Sequence, residues 1–367
     1  MTANARAHES IQLLASGVAL GHYIPAVLVQ GALLDRKLRA QLHVYEAGLS
    51  ARKRAMLTKT RDRYQDDFRA AQIGQRLHGL LNADPLGPTA TTWYGSRNPS
   101  VATFVVFSGQ WAAVLAQSGI APKRIVFVQI DIGQSPSWKQ HEEAVDPLLQ
   151  NGATAYQLSA LDGSQRLVTV DHVSDIVQWP ARERVIVVHG GGWALGPLDA
   201  AATAMAGRGW RIQKMLGSRA PSENTAEDIE CYTIPGDWAP WKCPVGRPFP
   251  PLFAVGEYGG RQMVSDGQRH QLLKMMGKSC AVVCKPGGMS LAGSALTATP
   301  LLFLDPYGPH ESENAAHWIA QGFGLPYMEW IARGSDPQDL VSMHRRLVAA
   351  VRKSVSLVDL IAERAGG

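Results

Sequence analysis

His22 closes the turn in GVALGHYIPA, Gly17 to Ala26, where an apolar run gives way to glycines and then to a proline. Glycines at 17 and 21 let the chain turn sharply after a strand and carry the imidazole to the carboxyl edge of a sheet, where open α/β folds bind ligands. With an ordinary pKa of about 6.5, a histidine there can take a proton from a hydroxyl or an amine near neutral pH. The same side chain could instead cap the next helix or bond to a loop, and the stretch alone leaves both accounts open.

A second set lies far along the chain, in CKPGGMS from Cys284 to Ser290. Pro286, Gly287 and Gly288 force a compact turn after an apolar strand, and a helix beginning near Met289 and Ser290 aims its free N–H groups into the space beyond. Lys285 adds positive charge and Ser290 a hydroxyl. A diphosphate needs several donors at once and little covalent help, so this set suits one. Farther on, His310, Glu311, Glu313 and Asn314 are expected in the loop after the next strand, at the same sheet edge. Carboxylates and an amide so placed suit a hydroxyl-rich ligand, although Glu313 and Asn314 equally suit a loop and a helix cap. HGGGWALG, His189 to Gly196, places Gly191 and Gly192 in a turn ahead of a helix, which attracts phosphate. It matches neither the dinucleotide fingerprint nor the P-loop, and a plain tight turn remains open.

These sets need strands and helices to carry them. Ile11–Ala19, Val101–Phe107 and Arg124–Ile132 read as strands, the last apolar on both faces as in a parallel sheet. Helices are expected from Pro25, from Trp111 to Gln117, and where Tyr64, Phe68, Ile73, Leu77 and Leu80 recur at near-helical spacing. The chain turns polar between Val173 and Glu183, after which RVIVVHGGGWALG opens a new strand, glycine turn and helix. A hinge is expected there. Ile234–Leu252 is Pro-rich and reads as loop; the strands AVVC and TPLLFLD follow, then helices from Glu313 and Asp336. Both halves begin with strand, glycine turn and helix, so the expected class is α/β, with two nucleotide-binding-type domains facing each other.

At 367 residues the chain exceeds what one core usually serves, and 46% hydrophobic with 18% charged residues is a globular rather than a disordered or fibrous composition. No apolar run approaches the roughly 20 residues that span a bilayer, and MTANARAHES lacks the order of a signal peptide, so a cytoplasmic location is expected. Cys231, Cys243, Cys280 and Cys284 match no zinc spacing, and Cys280 and Cys284, which flank the apolar strand AVV, read as reduced core thiols. Of the net charge of +5, the stretch Arg36 to Arg76 holds eleven Lys and Arg against four acidic residues. It is read as a solvated helix face, or as attraction for an anionic acceptor or a membrane surface. No stacking platform or nucleic-acid motif accompanies it, and nucleic acid is not expected as a partner.

Taken together, Gly17 to Ala26 (G-x-x-x-G-H-x-x-P-A) and the C-terminal stretch resemble the GT-B glycosyltransferases, especially the peptidoglycan N-acetylglucosaminyltransferase and galactolipid synthase group. The C-terminal likeness runs through Pro286-Gly287-Gly288-Met289-Ser290, Thr299-Pro300, LLFLD, and Glu311 to Asn314-Ala315. A narrower likeness, through FSGQW from Phe107, is to cytosylglucuronate synthases of nucleoside-antibiotic pathways.

The resemblance implies a GT-B fold: two Rossmann-like domains facing across a cleft, residues 1–178 binding acceptor, 179–335 binding nucleotide sugar, and 336–367 returning to the first domain. It implies an inverting, metal-independent transfer from a UDP-sugar to a small acceptor, with cytosine and UDP-glucuronate as one pair, and no cofactor beyond the donor. His22 would be the base, Gly21, Gly191, Gly192, Lys285 and Gly287 to Ser290 would meet the donor, and His310, Glu311 and Asn314 would hold sugar hydroxyls. The group's ribose-binding Glu falls at Gly293 here, with Ser294 as the candidate substitute. A nucleotide-sugar 2-epimerase of the same fold and an inactive auxiliary subunit are the rival readings.

Overall fold

The computed structural model describes residues 10–18, 20–69, 71–73, 102–219, 226–256 and 260–366. Two sheets organise them. The first has the order β2-β1-β3-β4-β5, built from β1 (Ser10–Ala15), β2 (Ala40–Val44), β3 (Ala102–Val106), β4 (Ile125–Gln129) and β5 (Thr154–Gln157), all parallel. The second holds β7 (Glu183–His189), β8 (Arg211–Met215), β9 (Ile229–Thr233), β10 (Leu252–Val255), β11 (Arg261–Ser265), β12 (Ser279–Cys284), β13 (Leu301–Phe303) and β14 (Gly324–Pro326). Its order is β11-β10-β9-β8-β7-β12-β13-β14, parallel except for β10 and β11. Ile125–Val128, Val185–Val188 and Ala281–Cys284 are buried on both faces because helices cover both sides of a parallel sheet.

The first lobe carries α1 (Tyr23–Asp35), α2 (Ala51–Asp66), α3 (Gln110–Ala116), α4 (Pro136–Gln140) and α5 (Glu142–Gln150). The second carries α6 (Leu198–Ala206), α7 (Gln271–Lys278), α8 (Gly288–Thr297), α9 (Pro309–Ala320) and α10 (Tyr327–Ala332). The chain from Asp336 forms two helices rather than one, α11 (Pro337–Val351) and α12 (Leu357–Gly366). Between them β15 (Val355–Ser356) pairs with β6 (Val168–Thr169). Leu357, Val358 and Ile361 of α12 pack with Ile11, Leu33 and Val105 of the first lobe in one apolar cluster.

Three expectations change. α2 starts at Ala51, where the Ser50 hydroxyl accepts the Lys53 N–H, and the backbone is extended at Asp67. Tyr64 therefore ends a helix instead of beginning one, and Leu77 and Leu80 lie outside the described residues. α9 starts at Pro309, which lacks the N–H that a first helical residue leaves unpaired, so His310, Glu311, Glu313 and Asn314 are helical and not loop residues. β8 to β11 were not foreseen as strands. None of the four cysteines forms a disulfide, and Cys231, Cys280 and Cys284 are buried. Among the described residues no helix is long and apolar enough to cross a membrane.

Candidate active site

A cavity of about 620 Å³ opens where the carboxyl ends of the two sheets face each other. On the first wall, β1 gives way to a turn in which Leu20, rather than a glycine, takes the left-handed conformation (φ 63). Gly21 has open space where a side chain would be. Gly17 does need to be glycine, because a Cβ there would lie 2.9 Å from the ring of Pro240 in the second lobe. Glu46 fixes this turn from beneath: its two carboxylate oxygens accept from the Ser16 hydroxyl at 2.6 Å and the Gly17 N–H at 2.7 Å.

His22, half-buried, lines the cavity and makes no side-chain bond to α1, so the capping account of this residue fails. Burial lowers its pKa below the usual value, the nearby carboxylate of Asp131 pulls it back up, and His310 pushes it down. It is therefore neutral, and able to accept a proton, at pH 7.

On the second wall Lys285 is buried against Glu311, with Nζ 2.8 Å from Oε1 and 5.1 Å from the centre of the Tyr307 ring. The other oxygen of Glu311 accepts the Tyr307 N–H. Glu311 lines the cavity but chiefly holds Lys285 and the preceding loop. The amides expected to be free at the start of α8 are mostly engaged. Gly287 N–H donates to Lys285 O, Ser290 N–H to Gly287 O, and Gly288 N–H to Asp131 Oδ1 at 2.9 Å. A Cβ on Gly288 would lie 2.5 Å from Ile130 O, so only glycine permits this approach of the two lobes.

Asn314 is fully buried at the same junction and is not among the residues that line the cavity. Its Nδ2 donates to Asp131 Oδ1 (2.7 Å) and Pro286 O (2.8 Å), and its Oδ1 accepts the Ile132 N–H (2.7 Å). It joins the lobes, and all of these bonds are to the protein rather than to the cavity. Ser294 also leaves the ligand set: fully buried, it donates to Thr299 O and accepts from Trp318 Nε1. At Gly293 a Cβ would meet Met276 Cε at 3.0 Å and Leu273 Cδ2 at 3.2 Å, so apolar side chains fill the place expected for a ribose-binding carboxylate.

Gly21, His22, Gly191, Gly192, Lys285, Gly287, Gly288, Met289, Ser290, His310 and Glu311 all border the one cavity. Four contributors were missed. Asp131 was read as part of a strand, but β4 ends at Gln129, which leaves the carboxylate at the sheet's carboxyl edge. That position was the available signal. His189 and His270, both at the cavity, have pKa values lowered to about 4. Burial dominates for each, with Lys285 and then His270 adding to it at His189. The fourth is α2, whose Lys53, Leu57, Thr60 and Tyr64, three to four residues apart, form one face toward the cavity. Arg52, Lys59 and Arg63, off that face, are exposed, and Lys53 is an exposed lysine at the cavity border. Tyr64 and Trp193 bring α2 across to the second lobe, their ring centres 5.9 Å apart.

Buried neutral histidines bear on acid stability. Unfolded, His189 and His270 titrate near 6.5; folded, they hold out to about 4. Between these values the unfolded chain binds more protons, so their contribution is intact above pH 6.5 and is lost as pH falls toward 4. Urea midpoints measured across that range should fall steadily, and a flat profile would contradict the burial of these rings.

The arrangement supplies a neutral base on one wall and the cationic Lys285 on the other. No family model matches the chain, and no curated protein matches it by sequence. Solved structures do. SsfS6, the glycosyltransferase of Streptomyces sp. SF2575 crystallised with thymidine diphosphate, superposes with a TM-score of 0.58 at 14% identity over 98% of this chain and 100% of that one. SnogD from Streptomyces nogalater gives 0.53 at 12% identity over 98% and 99%. MurG from Acinetobacter baumannii gives 0.51 at 11% identity over 96% and 99%. The fold of this chain is that of these glycosyltransferases: GT-B, two Rossmann-like domains facing across a cleft.

Proposed function

We propose that the protein transfers a sugar from a nucleotide-diphosphate sugar, a UDP-sugar in the first instance, to a small acceptor, with inversion and without a metal. The observation that carries this reading is the cavity at the carboxyl edges of both sheets, with His22 on one wall and Lys285 on the other. Residues 1–178 hold the acceptor, 179–335 the donor, and 336–367 tie the two together. His22 takes the acceptor proton while the acceptor attacks the anomeric carbon from the face opposite the departing diphosphate. Charge gathers on that leaving group, where Lys285 stabilises it. A pyrimidine such as cytosine, with UDP-glucuronate as donor, is the acceptor pair that the FSGQW resemblance favours.

The filled space at Gly293 supports one rival, an auxiliary subunit that has lost its own donor. Thermal shift with UDP, thymidine diphosphate and their sugars separates the two, since a ligand at 100 times its Kd adds about 2.7 kcal/mol of stability. The transferase reading expects such a rise with at least one of these ligands. No rise with any favours the subunit, and a changed sugar in the absence of acceptor favours the epimerase.

A further inference from the structure

The strand order of the second sheet reverses at β7 and β12, since β8 and β9 lie beyond one and β13 and β14 beyond the other. Ligands of open α/β sheets bind at such a point. His189 ends β7 and pairs in register with Cys284, the neighbour of Lys285. Its side chain lines the cavity although the residue is only 5% exposed.

Which nitrogen carries the proton follows from the backbone. Gly191 N–H donates to Nδ1 at 3.2 Å, so Nδ1 is an acceptor and, in a ring that burial keeps neutral, the proton is on Nε2. Nε2 is buried and has no hydrogen-bond partner among the described residues. A buried N–H without an acceptor is costly, and native folds seldom keep one without a ligand or water to receive it. The other donors nearby are committed: Gly287, Gly288 and Ser290 bond to the protein, and Lys285 shares its charge with Glu311.

We infer that His189 Nε2–H donates to a phosphoryl oxygen of the bound nucleotide diphosphate, beside Lys285, which makes His189 a binding residue for the group that departs. The inference rests on the nucleotide-sugar reading and assigns the phosphate contact within it. A neutral donor adds a hydrogen bond without placing a second cation against Lys285. It recognises the phosphate and not the nucleoside.

Calorimetric titration of the wild type, His189→Phe and His189→Gln with UDP and with uridine tests this. Phe fills the space without a donor, whereas the amide of Gln can stand in for Nε2–H. The Phe variant is expected to bind UDP about 10-fold more weakly with uridine affinity unchanged, and Gln to recover much of the difference. A Phe variant with the wild-type ratio of the two affinities overturns the inference and leaves the nucleotide-sugar reading standing. A wild type that binds neither UDP nor thymidine diphosphate overturns both. If the Phe variant does not fold, the Nε2 resonance of wild-type His189 decides: it must move with UDP and not with uridine, and a resonance that UDP leaves in place overturns the inference.

Discussion

His22→Ala is expected to slow sugar transfer by about 100-fold or more while leaving UDP affinity at the wild-type value. The split follows from position. His22 belongs to the first lobe, whereas Lys285 and the glycine turns at Gly191 and Gly287 belong to the second. Its ring has no capping duty in α1, so truncation removes a proton acceptor without unseating the helix. Because burial lowers its pKa, the acid limb of kcat/KM should fall below the ordinary value of 6.5, with activity lost as the ring protonates. Turnover unchanged in the alanine variant would remove His22 from the mechanism.

Asn314→Ala should cost about 4 kcal/mol of unfolding free energy, because it deletes three hydrogen bonds and leaves buried partners unsatisfied. The Ile132 N–H and Pro286 O belong to different lobes, so the loss falls on their junction. Asn314→Asp should be no remedy, since it sets a second carboxylate against Asp131. Urea unfolding measures the effect; a loss under about 1 kcal/mol would show that the lobes are joined by other contacts.

Much of this architecture was readable from the chain. Doubly apolar runs such as Ile125–Val128 and Val185–Val188 have one good use, in parallel sheets, and the glycine turns after them mark the carboxyl edges where a site forms. The start of α9 was readable as well, since Pro309 is a helix-opening residue, but the polar run behind it resembled a loop. What stayed hidden depends on distant partners. Nothing local in Asn314 says that it bonds across lobes to Asp131, 183 residues away. Nothing in Gly293 says that Leu273 and Met276 occupy the space beside it. The basic stretch concealed its inward face because charge masks the spacing of Lys53, Leu57, Thr60 and Tyr64.

Asp131 holds the end of α8 with a negative charge of the protein's own, in the place where an incoming anion would go. The resting cleft therefore carries a placeholder. Any anion that reaches the Gly288 N–H competes with this carboxylate, which also accepts from Asn314. The same carboxylate lies within the electrostatic reach of His22, so one acidic group couples the start of α8, Asn314 and the candidate base.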